Sequence, residues 1–139
     1  MKVETSSIVR RPAEAAFDFL VNLENEPRWN PWAIKAVKLS EGPVHEGTVF
    51  RATYKRFGEM DVKITGYERP KRFVITTDTK QMSGRHELMF EPAEGGTKVT
   101  QRGDMRPKGL MKVMALFMGP MLRGHFRELS RGVQTALQA

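Results

Sequence analysis

Hydrophobic residues in this chain change their period twice, and no other property narrows the fold as far. From Ala33 to Met105 apolar and polar residues alternate, the spacing of strands that bury one face. Turn signals interrupt the alternation at Glu41-Gly42-Pro43, Phe57-Gly58-Glu59, Arg69-Pro70-Lys71, Lys80-Gln81 and Glu94-Gly95-Gly96. After Arg106-Pro107-Lys108-Gly109 the spacing becomes helical. Leu110, Met114, Phe117, Met121, Leu122, His125, Phe126, Leu129, Val133 and Leu137 then form an apolar stripe running nearly to the end. Gly119-Pro120 is expected to kink or break this helix, because proline lacks the backbone donor and crowds the preceding turn. Ahead of the meander, Val3 to Val9 reads as a strand. Arg11-Pro12-Ala13-Glu14 starts a helix with the apolar stripe Ala16, Phe17, Leu20 and Val21. Asn22 to Asn30 carries a second short helix or turn, broken by Pro27 and Pro31.

Charges test the strand register. A last hairpin turning about Glu94-Gly95 sets Arg85 against Asp104, Glu87 against Arg102 and Glu91 against Lys98, three pairs of opposite sign on one wet face. Its dry face then carries Gly84, His86, Leu88 and Phe90 opposite Val99, Gln101, Gly103 and Met105. Turning the earlier hairpin about Gly58 sets Lys55 against Asp61, with Phe50, Ala52 and Tyr54 opposite Met60, Val62 and Ile64 behind. The same logic puts Lys63 near Asp78 and turns Phe73, Ile75 and Thr77 inward. A sheet with one apolar face needs a cover, and the terminal helix supplies it. The expected fold class is α+β: a curved antiparallel sheet of six to seven strands wrapped around a long C-terminal helix, with two short helices after the first strand.

With 139 residues, one core and one domain spanning 1–139 are expected. The chain has no cysteine, which excludes disulfide and thiolate chemistry. No basic and apolar leader is visible at Met1-Lys2-Val3-Glu4-Thr5, and no apolar run approaches the length of a membrane span, so a cytoplasmic protein without integral membrane association is expected. Net charge is +7, concentrated late: from Lys98 onward eight Lys/Arg stand against Asp104 and Glu128. Arg123, Arg127 and Arg131 recur every four residues on one side of the helix. Such a surface attracts anions, weak contact with anionic lipid included, but no aromatic stacking residues or known motif beside it point to nucleic acid.

The order of elements resembles the SRPBCC superfamily, the START-like or birch-pollen-allergen-like helix-grip fold. The stretches Ile8 to Phe19, Glu26 to Trp32, Phe90 to Val99 and the terminal helix look like its polyketide cyclase/dehydrase and lipid-transport branch. The resemblance covers essentially the whole chain and implies a hydrophobic cavity between sheet and helix. Bottom-up physics agrees, since a strongly curved sheet cannot touch a straight helix along its whole length. Met105, Met111, Met114, Met118 and Met121 add flexible, polarizable side chains near that gap.

Candidate ligand-binding residues are Trp32, Phe50, Tyr54, Ile64, Ile75, His86, Leu88, Phe90, Gln101, Met105, Met114, Phe117, Met118, Met121 and His125. His86 is the best single candidate for acid/base chemistry, because it points inward opposite Gly103, with Tyr54, His125 or bound water to assist it. Sequence spacing offers no metal ligands, no nucleophile elbow and no phosphate loop, and no cofactor is expected. Three functions stay open: binding or transport of a small hydrophobic molecule; a cyclase/dehydratase-like or isomerase-like enzyme using His86; or a regulatory or membrane-surface module using the basic C-terminal third. Monomer and homodimer are equally compatible with the sequence.

Overall fold

The computed structural model describes residues 2–138, the side chain of Met118 excepted. Its elements are β1 (Lys2–Val9), α1 (Ala13–Val21), a 3-10 helix (Leu23–Arg28), β2 (Ala33–Lys38), β3 (Val49–Tyr54), β4 (Gly58–Glu68), β5 (Arg72–Asp78), β6 (Met82–Ala93), β7 (Gly96–Pro107) and α2 (Met111–Ala136). The seven strands form one antiparallel sheet in the order β1-β7-β6-β5-β4-β3-β2. The successive antiparallel steps from β2 to β7 follow the predicted meander, and β1 closes on β7.

The last hairpin has the register read from its charges: Arg85 faces Asp104, Glu87 faces Arg102 and Glu91 faces Lys98. The earlier hairpin differs. Tyr54 pairs with Gly58 and Ala52 with Met60, so Asp61 faces Arg51, whose Nε donates to it at 3.0 Å, and Lys55 sits in the turn. The turn is tight because Arg56 and Gly58 both adopt positive φ, at 74° and 75°. The slip from the expected register is an even number of residues, so each side chain keeps its face. Phe50, Ala52, Val62 and Ile64 are accordingly buried. Lys63 faces Thr76 instead of Asp78, which pairs with Lys108.

α1 buries Ala16, Phe17, Leu20 and Val21, the predicted stripe. Phe17 meets Tyr67, Phe73 and Phe90 edge to face at 5.2, 5.5 and 5.4 Å, a geometry that favours the ring quadrupoles. α2 lies along the far side of the concave face. Ser130 Oγ donates to the Ser6 carbonyl and Gln134 Nε2 to the Ile8 carbonyl, both at 3.1 Å, tying the helix to the edge strand β1.

α2 is neither broken at its proline nor apolar along a single face. The helix runs through Gly119-Pro120 without a break. Its apolar stripe is also not one face: Leu122, His125, Phe126, Leu129, Val133 and Leu137 are buried, whereas Leu110, Met114 and Phe117 are exposed. The reason is geometric. At about 100° per residue Leu110, Met114 and Phe117 lie within about 60° of one another, whereas Leu122 to Leu137 centre roughly 120° further round, so the apolar residues make two faces. Toward the body the first half turns Met111, Ala115 and Gly119, all half-buried, in place of its large apolar residues.

Candidate functional site

The concave face divides into a filled end and an open end. Phe17 and Leu20 from α1 occupy the filled end against Phe73, Leu88 and Phe90. At the other end the sheet curves away from the middle of α2 and leaves a chamber of about 150 Å³. Leu122, His125, Phe126 and Leu129 form its helical wall, while Val62, Ile75, Thr77, Gly84, His86 and Gly103 form its sheet wall. Trp32, Tyr54, Phe57, Met60, Met82 and Met105 close its sides. At Gly103 a Cβ would lie 2.2 Å from Phe126 Cζ, so only glycine lets that ring cross β7.

Polar groups interrupt the apolar lining at two places. On β6, His86 Nε2 shares a hydrogen bond with Gln101 Oε1 at 2.9 Å, and burial pushes the imidazole down to about 4. His125 stacks on Trp32 with ring centroids 3.6 Å apart. Burial, then the neighbouring His86, brings it also to about 4. Both imidazoles are therefore neutral at pH 7. His125 Nδ1 is buried without a hydrogen-bond partner, as is Gln101 Nε2.

The second polar place is Glu26, which is 3% exposed. Tyr54 Oη donates to its Oε1 at 2.6 Å and Asn30 Nδ2 to its Oε2 at 3.0 Å. Burial drives the Glu26 carboxyl upward while these two donors pull it back, leaving it raised. Burial and the adjacent carboxylate together push the Tyr54 phenol far up, so it stays protonated and donating. Asn30 is fixed in turn, because its Oδ1 accepts from the Trp32 amide at 3.0 Å. A carboxyl, a phenol and two neutral imidazoles thus line one small apolar chamber.

Of the residues singled out from sequence, Trp32, Tyr54, Ile75, His86, Met105 and His125 line this chamber. Phe50, Ile64, Leu88 and Phe90 face the same side of the sheet but are packed into the core, and Gln101 reaches the chamber only through His86. Alternation sets the side a residue faces and not its position along the strand relative to α1. Met114 and Phe117 lie on the outer side of α2, away from the chamber. Met121 instead meets the β3–β4 turn, where Arg56 Nη1 lies 3.4 Å from its sulfur. The Met118 side chain lies outside the described residues. Sequence reasoning missed Glu26, Asn30 and Phe57. The four-residue spacing of Glu26 and Asn30 was the only local trace, since the partner that reveals Glu26, Tyr54, is 28 residues away. No group of three or more His, Cys, Asp or Glu side chains among the described residues could hold a metal ion.

A meandering sheet wrapped around a terminal helix, with a chamber between them, defines a helix-grip protein of the START and birch-pollen-allergen type. The family model for polyketide cyclase / dehydrase and lipid transport matches residues 1–138, and the chain belongs to this family. Among solved structures, a START superfamily protein from Mycobacterium smegmatis aligns over 98% of this chain and 96% of its own, with 14% identity and a TM-score of 0.77. A protein from Thermus thermophilus aligns over 99% and 97%, with 12% identity and a TM-score of 0.80. The di-domain ARO/CYC BexL from the BE-7585A biosynthetic pathway covers 98% of this chain with 46% of its own, at 15% identity and a TM-score of 0.76. At these identities the likeness establishes the fold alone. No curated protein matches the sequence. Among the described residues no helix is long and apolar enough to cross a membrane.

Proposed function

We propose that this protein binds, and by release elsewhere transports, a small apolar molecule that carries one or two hydrogen-bonding atoms. The observation behind this reading is the apolar chamber itself, with His125 on its helical wall, whose Nδ1 is buried without a hydrogen-bond partner. Buried polar groups are rarely left so, and a ligand hydroxyl or carbonyl would satisfy it. The volume of about 150 Å³ suits a single ring or a short branched chain. An engineered cavity of about this size binds benzene. The aromatic surfaces of Trp32 and Phe57, 5.7 Å apart, favour a flat apolar body.

Titration with phenol and with toluene, followed by calorimetry, tests this reading. Both are expected to bind, phenol about five- to tenfold more tightly because its hydroxyl can reach a buried partner. Val62→Phe fills the chamber from β4 and is expected to abolish both. Failure of either probe to bind the wild-type protein, together with a solvent extract free of apolar compounds by mass spectrometry, would overturn it.

A second reading, an enzyme of the cyclase/dehydratase or isomerase kind, draws on Glu26. A carboxyl with a raised pKa and a neutral His86 on the same chamber are a suitable pair for moving protons on and off a bound molecule. Here Glu26→Gln and His86→Ala should each lower kcat about a hundredfold or more with KM little changed. Turnover unaffected by both substitutions removes this reading and leaves the binding one intact.

A further inference from the structure

The first half of α2 presents its large apolar side chains to solvent. Leu110, just ahead of the helix, is 88% exposed, and within it Leu116 is 81%, Phe117 80% and Val113 63% exposed. This is not fraying of a core-facing stripe. By helical geometry Val113, Met114 and Phe117 centre roughly 140° around the axis from Leu122, Phe126, Leu129 and Val133, so the two halves of one rigid helix point their apolar surfaces in different directions. Half-buried Met111, Ala115 and Gly119 already occupy the side toward the sheet, so no simple closure of the helix buries Phe117.

Charge indicates what the outward face meets. Between Met105 and Arg127 the chain has Arg106, Lys108, Lys112, Arg123 and Arg127 and not one Asp or Glu. On the helix, Lys112, Arg123 and Arg127 lie along one flank of the exposed apolar residues, a side-by-side arrangement of cations and greasy side chains. A second copy bringing the same face would set these cations against each other. An anionic lipid surface complements both parts, taking Leu and Phe side chains into the acyl boundary while Lys and Arg reach the phosphates.

We infer that the N-terminal half of α2 is a membrane-docking face, and that it lays the protein on bilayers containing anionic phospholipid. The half-exposed chamber residues Phe57 and Met105 belong to segments adjoining this half-helix: the β3–β4 turn that touches Met121, and the end of β7 that leads into α2. Docking there brings the chamber's rim near the lipid. The face itself stands independently of the chamber reading.

Co-sedimentation of the full chain with vesicles tests this directly, using phosphatidylcholine alone and phosphatidylcholine with about one-third phosphatidylglycerol. Binding is expected only to the phosphatidylglycerol vesicles, weakening at least about tenfold between roughly 50 and 500 mM salt as the charges are screened. Phe117→Ser with Leu116→Ser should lower the affinity about tenfold or more, and Lys112→Ala about fivefold. All three residues are exposed, so circular dichroism and phenol affinity should remain as in the wild type. No binding to anionic vesicles, or binding indifferent to Phe117→Ser and Leu116→Ser, would overturn the inference. So would a stable dimer in sedimentation equilibrium that the same two substitutions dissociate, since the face would then belong to a second copy.

Discussion

Glu26 and the two imidazoles show how much a residue's chemistry owes to its enclosure. An exposed glutamate beside a tyrosine would be ionised and unremarked; enclosed between Tyr54 and Asn30 it keeps a raised pKa within reach of an apolar chamber. His86 and His125 titrate at about 4 in the fold against 6.5 in an unfolded chain. Above pH 6.5 both states hold them neutral, and they make no difference to stability. As pH falls from 6.5 to 4 the unfolded chain takes up protons that the fold resists, so stability declines across that window. Thermal melts of His86→Gln should therefore show a shallower loss of Tm between about pH 6.5 and 4 than the wild type, with the two slopes alike above about pH 7. Equal slopes throughout would mean that His86 is not held neutral by burial. The candidacy of His86 was legible because alternation aims it inward. Its neutrality was not, since that depends on burial under the helix packed above it, which outweighs the opposing hydrogen bond to Gln101.

At the scale of elements, β6 and β7 were the most legible part of the chain. Opposite charges three times over fixed which residues face each other, and the turn at Gly95, with φ of 80°, needs only local geometry. The β3–β4 hairpin was less so, because the positive φ of Arg56 moved the turn ahead of Gly58. Where β7 and α2 cross, the contact is narrow enough to test. Gly103→Ala should destabilise the protein by about 1–3 kcal/mol, through the collision of its Cβ with the Phe126 ring. Phe126→Leu in the same background should return part of that loss in urea denaturation, whereas purely additive effects would place the strain elsewhere. The length of α2 was anticipated, but its continuity through Pro120 and the division of its apolar stripe into two faces were not. Spacings of three and four look like a single face on paper, yet the apolar residues before Met121 and those from Leu122 onward point about 120° apart at about 100° per residue.

For the whole molecule, architecture followed from order and periodicity. One strand, two short helices, a meander and a covering helix admit few arrangements, and the observed sheet order β1-β7-β6-β5-β4-β3-β2 is the one that lets each hairpin pair with its neighbour. The sidedness of the sheet was likewise written in the chain, and it survived a register error because an even slip preserves faces. Depth was not. Phe90 and His86 share a strand and a face, yet Phe17 packs against one and a chamber opens beside the other. That division depends on where α1, the 3-10 helix and α2 come to rest, the last two held by contacts such as Tyr54 to Glu26 and Ser130 to Ser6 that join residues 28 and 124 positions apart. Periodicity is a local property that encodes direction. Empty volume, a carboxyl enclosed within it and an apolar half-helix left outside are products of long-range packing, and only the tertiary structure could decide them.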